Sequence, residues 1–342
     1  GQVRGGLAHV AMMAGLGLST VSGAAVADAS ALGGTLHGPL SKYYSRGFSA
    51  AVLAAAANLG PIIPPSGAMI VYAFVAGPTV SVGGLFMAGV LPGLILVTSM
   101  MILCSVYARI KGLPTTGDGF SLRRAGREIM RSLVILMMPV VVVGGIVGGV
   151  FTATEGSAIA VIYALAIGFF ITRQLSIADL PEAFVNTAVT SAVVGAMIAF
   201  ASAVTYMMTI DLFPIKLAEW LKSITTDPTV FMLLVAAVLV IVGCFLESNA
   251  AYVMLVPLLH PIAVSYGIDP LHFAFLFVFN LVIGMLTPPV GVVLFVLCGV
   301  ARVSIGEMTR NIWPFVLLMY ALLFLCMFVP EVVLTLPRAL GY

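Results

Sequence analysis

The chain is a succession of long apolar runs separated by short polar stretches, and the runs leave no room for a water-soluble domain. Many reach the roughly 20 residues that a helix needs to cross a hydrocarbon core. The pattern predicts a helix over 85–108, three spans near 129–152, 156–172 and 184–210, and a last helix over 311–335. Two runs are interrupted in mid-length. "NLGPIIPPSG" starts at Asn58 inside the run 48–76, and "NLVIGMLTPPVG" starts at Asn280 inside 271–299. Proline removes a backbone N–H and clashes with the preceding helical turn. Pro61, Pro64 and Pro65, then Pro288 and Pro289, therefore predict two broken helices.

The two interruptions belong to a longer self-similarity. A shift of 222 positions brings Pro39 onto Pro261, Tyr44 onto Tyr266, Asn58 onto Asn280, Leu59 onto Leu281, Gly77 onto Gly299, Gly84 onto Gly306 and Pro92 onto Pro314. Paired Gly/Pro-interrupted segments in corresponding halves point to the binding site of a secondary transporter. The repeat cores run over 5–108 and 228–335. Three spans precede the second core and only a few residues the first, so about 90 residues with about three spans are expected upstream of "GQVRGG".

Charge orients the copies. Six of the fifteen basic residues fall between Arg109 and Arg131, which places the loop 109–128 in the cytoplasm. Counting backwards, 48–76 runs outward and the Lys42/Arg46 loop is cytoplasmic. Residues 5–37 then start and finish on the same side, as a re-entrant hairpin with "VSGAAVAD" at its tip. Counting forwards, the chain is outside by Asp211, and 228–258 is a second hairpin with "LESNAA" at its tip. Its following loop, 259–270, has no Lys or Arg. The basic pair Lys216 and Lys222 is assigned to an outside amphipathic connection. The copies thus have opposite orientations. The fold class is an all-α polytopic membrane protein, one membrane domain over 1–342, built as an inverted repeat with two re-entrant hairpins and two broken helices; residues 129–210 are scaffold-type helices.

Composition agrees: 61% of residues are hydrophobic and 8% charged, against about 25% charged in soluble domains. A net charge of +2 argues for neither nucleic acid nor an acidic partner. Cys104, Cys244, Cys298 and Cys326 stand singly, which suits buried thiols rather than a metal or disulfide framework. No phosphate loop is present. A protease reading lacks a histidine base near Ser22 and a second acid for Asp28, so no enzyme activity is expected.

Irregular backbone is tolerated at membrane depth where protein buries it or a cavity hydrates it. A broken helix offers carbonyls at one half-helix end, which hold Na⁺, and N–H groups at the other, which face an anion. Two tips meeting two breaks build two cation sites around a substrate cleft. Asp28 and Glu247 are acids within membrane-depth sequence, where ionisable groups are costly and functional, or else tie down a helix end. Asn58 and Asn280 read first as struts for the broken backbone, then as ligands. Ser66 and Thr287 offer a hydroxyl to a ligand or bond back to their own helices. Glu155 either caps a helix or acts. His9, His37, His260 and His272 read as interfacial or structural.

The stretches "GQVRGGLAHV", "SGAAVADASALG", "YYSRGFSAAVLAAAANLGPIIPPS", "GVFTATEGSAIAVIYAL" and "NLVIGMLTPPVG" resemble the large membrane subunit, DctM-like, of tripartite ATP-independent periplasmic (TRAP) transporters. The resemblance covers essentially the whole chain. It implies an elevator-type transporter in the bacterial inner membrane and Na⁺-driven import of organic acids. It also implies a periplasmic substrate-binding protein and a small four-helix membrane subunit, separate or fused, with Na⁺ as coupling ion and no organic cofactor. Carried over by motif, the first Na⁺ site falls on Ser22, Gly23, Asn58, Gly60 and Pro61. The second falls on Glu247, Ser248, Asn249, Gly284 and Thr287, and substrate contacts on Ser22, Asp28, Ser66 and Thr287. Two positions depart from the family pattern, Ala24 and Asn58, where serine, or serine or threonine, is common. A single-component Na⁺/dicarboxylate carrier and a channel remain alternatives.

Overall fold

A computed structural model of the chain describes residues 5–112 and 122–342; residues 1–4, and residues 113–121 of the expected loop, lie outside them. Every element among the described residues is helical. The helices α1 (Gly6–Ser22) and α2 (Ala25–Ser41) form a first pair, turning at Gly23 in the left-handed region, φ 62°. Next come α3 (Arg46–Ala57), a non-helical stretch from Asn58 to Ser66, and α4 (Gly67–Ala76). The long α5 (Val82–Ile110), α6 (Leu122–Val147), α7 (Ala153–Ala166) and α8 (Leu180–Ile210) follow, then a short α9 (Phe213–Ile224). A second pair, α10 (Pro228–Phe245) and α11 (Ser248–Ser265), precedes α12 (Pro270–Gly284), a second break, and α13 (Val292–Ala301). The chain closes with α14 (Ile305–Phe328) and α15 (Glu331–Ala339). Six helices among the described residues are long and apolar enough to cross a membrane.

The segment expected as one helix over 311–335 is two elements. It starts earlier because the Ser304 hydroxyl accepts the Glu307 N–H and caps α14, a serine N-cap of the usual kind. It stops at Phe328 because Pro330 supplies no N–H to continue the ladder, and α15 turns back onto α5. The connection around Lys216 and Lys222 is itself a helix, α9, with Leu221 buried and Trp220 exposed.

The centre of the molecule is made by the first halves of the two broken helices. In α3 every residue from Gly47 to Ala57 is buried, and in α12 every one from His272 to Gly284. The two do this with opposite chemistry. The alanines of α3 let neighbours approach closely, as small residues do between membrane helices: a Cβ added to Gly15 of α1 would lie 2.7 Å from the Ala56 carbonyl oxygen. α12 instead fills its surroundings with Phe273, Phe275, Phe277 and Phe279.

The second halves cross over. α4 packs on α11 and α12, whereas α13 packs on α2 and α3. Polar contacts close the crossover at one end: Arg46 Nη2 donates to the carbonyls of Ala301 and Arg302 (3.3 and 3.4 Å), and the Gly47 N–H donates to Glu307 Oε1 (2.9 Å). Helices α6 to α8 are more peripheral, with α6 leaning on α1 and α5, α7 on α6, and α8 on α11. Crevices separate them from the centre, one of about 660 Å³ between α6 and the first pair and one of about 400 Å³ between α8 and the α4/α11 wall.

Candidate functional site

The turn of each helix pair sits against its own proline break. At the first, Gly23 lies so close to the backbone that an added Cβ would be 2.7 Å from the Pro65 carbonyl oxygen and 3.1 Å from the Gly67 nitrogen. Glycine is required there twice over, by its positive φ and by that approach. At the second, the Gly291 N–H donates to the Cys244 carbonyl (3.1 Å), and Gly243 and Gly284 meet backbone to backbone. Both proline pairs contain a cis peptide, Pro64–Pro65 and Pro288–Pro289.

Around the first break, Ser22 Oγ donates to Asp28 Oδ1, and the Ala24 N–H donates to Ser22 Oγ (3.3 Å). Asp28 is fully buried. Its other oxygen, Oδ2, has no hydrogen-bond partner among the described residues and faces Gly60, whose added Cβ would lie 2.6 Å from it. Asn58, also buried, donates from Nδ2 to the Val282 carbonyl (2.7 Å), while its Oδ1 has no partner among the described residues. Ser66 caps α4, accepting the Met69 N–H (3.3 Å), and donates to the Pro61 carbonyl (2.7 Å). Ser22, Gly23, Asp28, Gly60, Pro61 and Ser66 are thus drawn to one place, and Asn58 reaches across to the other broken helix.

The second break differs in detail. Glu247 caps α11, accepting the N–H groups of Asn249 (2.9 Å) and Ala250 (3.2 Å) and the Asn249 side-chain amide (3.0 Å). Ser248 Oγ donates to Met285 Sδ (2.9 Å), which fastens the tip to the break. Thr287 Oγ1 donates to the Ile283 carbonyl (2.8 Å) and lies 3.5 Å from the Tyr320 hydroxyl. Asn280 donates to the Ala236 carbonyl (3.0 Å), leaving Oδ1 without a partner among the described residues. The hydroxyl protons of Ser66 and Thr287 are therefore held by backbone carbonyls, and what these residues offer a ligand is oxygen lone pairs. Glu155 lies elsewhere, in a capping box with Thr152 at the start of α7.

Several participants were not picked out from the residues. Met285 and Tyr320 carry no signal in a chain so rich in apolar side chains. Gly291 does: a glycine just after a proline pair marks a turn needing positive φ, and its φ is 62°. Among the described residues no three His, Cys, Asp or Glu side chains gather as a metal cluster. The polar groups at the breaks are carbonyls, hydroxyls, amides and single carboxylates.

Comparison with known proteins extends this picture. The family model described as "Tripartite ATP-independent periplasmic transporter, DctM component" matches residues 1–332. The C4-dicarboxylate TRAP transporter large permease protein DctM of Pseudomonas aeruginosa is 35% identical over 100% of this chain and 79% of its own length. The sialic acid TRAP transporter large permease protein SiaM of Vibrio cholerae is 34% identical, over 100% of this chain and 80% of its own. The isethionate TRAP transporter permease protein DctMQ of Oleidesulfovibrio alaskensis is 36% identical over 97% of this chain, which spans about half of that longer protein, 52%. With a whole-chain family match and an all-helical structure carrying two proline-broken helices, this chain belongs to the DctM family of TRAP transporter membrane components.

Proposed function

We propose that the protein imports a small organic acid across the bacterial inner membrane by Na⁺ symport. A periplasmic binding protein delivers the solute, and a small four-helix membrane subunit completes the transporter. The observation that carries the reading is the seating of both helix-pair tips on the proline breaks, with two buried oxygens left unmatched at the first of them, Asp28 Oδ2 and Asn58 Oδ1. Burying such groups without partners is costly, and a hard cation taking oxygen ligands removes that cost. Ser22, Gly23, the Asn58 amide oxygen and the Gly60–Pro61 backbone, with Asp28 beside them, would hold one Na⁺, and the Glu247–Asn249 turn with Gly284 and Thr287 a second. Bound Na⁺ supplies positive charge to an organic anion, supplemented by the N-terminal end of α4 beyond Ser66.

Relatives named for C4-dicarboxylate, sialic acid and isethionate favour a small organic anion, here taken as a carboxylate. In the elevator mechanism proposed, the helix pairs and breaks shift against a peripheral scaffold of α6 to α8, a reading supported by the crevices beside α6 and α8. Re-entrance of both pairs from opposite faces is proposed from the charge distribution; α10 and α11, 18 residues each, are also long and apolar enough to cross a membrane.

Reconstituted vesicles test this. The complete membrane complex should accumulate labelled solute only with an inward Na⁺ gradient and the binding protein present. Uptake without the binding protein would replace the tripartite reading by a single-component carrier, and gradient-independent flux at channel rates would remove both.

A further inference from the structure

A buried hydrogen-bonded chain joins the two halves of the sequence away from the candidate ion sites. His260 of α11, 3% exposed, lies between Tyr72 of α4 and Thr79, which follows α4. Its Nδ1 is 2.9 Å from the Tyr72 hydroxyl and its Nε2 3.1 Å from Thr79 Oγ1. One arrangement satisfies every group: Thr79 gives its hydroxyl proton to the Ala76 carbonyl (3.1 Å) and accepts from the His260 Nε2–H, while Nδ1 accepts from the Tyr72 O–H. Tyr72 is fully buried and edges onto Phe277, with ring centroids 5.4 Å apart, so without His260 its hydroxyl would be stranded among apolar groups.

We propose that His260 is a positioning residue, a clamp that makes α4 and α11 one unit. Phe74 and Val75 of α4, beside Val253 and Pro257 of α11, form one wall of the crevice facing Ser202 and Thr205 of α8. The clamp keeps that wall whole while the crevice changes width. Together with the Arg46–Ala301 and Gly47–Glu307 bonds, it fastens the crossed halves at two separate places. The inference rests on the transporter reading for its purpose, but its test needs no transport.

Amide hydrogen exchange of the full membrane complex in nanodiscs reads the unit directly, because protection reports local opening. In the wild type, α4 and α11 should open together. Tyr72→Phe should speed exchange about fivefold in both, and His260→Ala about tenfold or more, with α3 and α13 unchanged. His260→Gln, which keeps a donor and an acceptor, should return both helices to within about threefold of wild type. Tyr72→Phe removes a single oxygen and keeps the test in hand if His260→Ala does not fold. Unchanged exchange in Tyr72→Phe, loosening of α11 without α4, an equal rise across α3 and α13, or Gln faring no better than Ala would each overturn the clamp. A chain that failed to carry Na⁺ would leave these outcomes standing and remove only the Na⁺-symport reading.

Discussion

Replacing Gly284 by alanine tests the contact on which the second tip and break depend. A Cβ there would lie 2.6 Å from both the carbonyl carbon and the Cα of Gly243, and 3.0 Å from its oxygen. These are backbone atoms of α10, with no flexible side-chain end to swing aside, so the helices must part by several tenths of an ångström. Overpacking of this kind costs about 1–3 kcal/mol. Against it stands the helical preference for alanine over glycine, at most about 1 kcal/mol and less at the last residue of α12. The net expectation is a loss of about 1–2 kcal/mol. Gly195 of α8 has nothing within 4 Å of its added Cβ, so Gly195→Ala keeps only the favourable term and should change stability in the opposite direction. The four buried cysteines make the assay: a thiol-reactive dye reports their release as the detergent-solubilised protein is heated. Gly284→Ala should melt a few degrees below wild type and Gly195→Ala at or above it. A Gly284→Ala protein melting no lower than wild type would refute the close packing of tip on break.

Other consequences follow from single groups. Asp28→Asn keeps an acceptor for Ser22 but removes the charge facing Gly60, so stabilisation of the protein by Na⁺ should need at least about tenfold more ion, measured as melting midpoint against Na⁺ concentration. Asn58→Leu strands the Val282 carbonyl in the buried centre and should cost about 1–3 kcal/mol, read by the same dye assay. At the start of α10, the Thr229 and Val230 N–H groups hold the Asp227 carboxyl below its ordinary value. Its cap is therefore fully present above about pH 4 and lost as pH falls through the lowered folded value. Melting midpoints should decline over that acidic range in the wild type, and less steeply in Asp227→Asn.

The positions of the breaks were legible in the sequence because proline and glycine act on the backbone locally, whatever surrounds them. Ser22, Gly23 and Asp28 share one turn, so their neighbourhood was legible too. What faces them was not. The partner of Asn58 is the carbonyl of Val282, 224 residues away, and that of Arg46 is the carbonyl of Ala301. Backbone acceptors leave no mark in residue identity, and only the packing of the two broken helices against each other brings them near. His260 illustrates the same limit: it read as interfacial or structural, while its role depends on Tyr72, 188 positions earlier. The split after Phe328 was hidden because hydropathy continues past Pro330 while the ladder does not.

The crossing of the broken helices also dictates an order of assembly during synthesis. α2 and α3 receive α13 as a neighbour, with Gly33 of α2 cut back to admit Leu297 and Val300. Yet Val292, the first residue of α13, emerges 251 residues after Ser41, the last of α2. At translation rates of about 5–20 residues per second, the early helices wait for some tens of seconds in the bilayer with that groove open and Arg46 without the carbonyls it later grips. The first half of the chain is therefore a client for whatever shields polar groups in nascent membrane proteins. Slowing elongation between α5 and α13 should lengthen that exposure and lower the yield of folded protein, even though no residue of the finished molecule has changed.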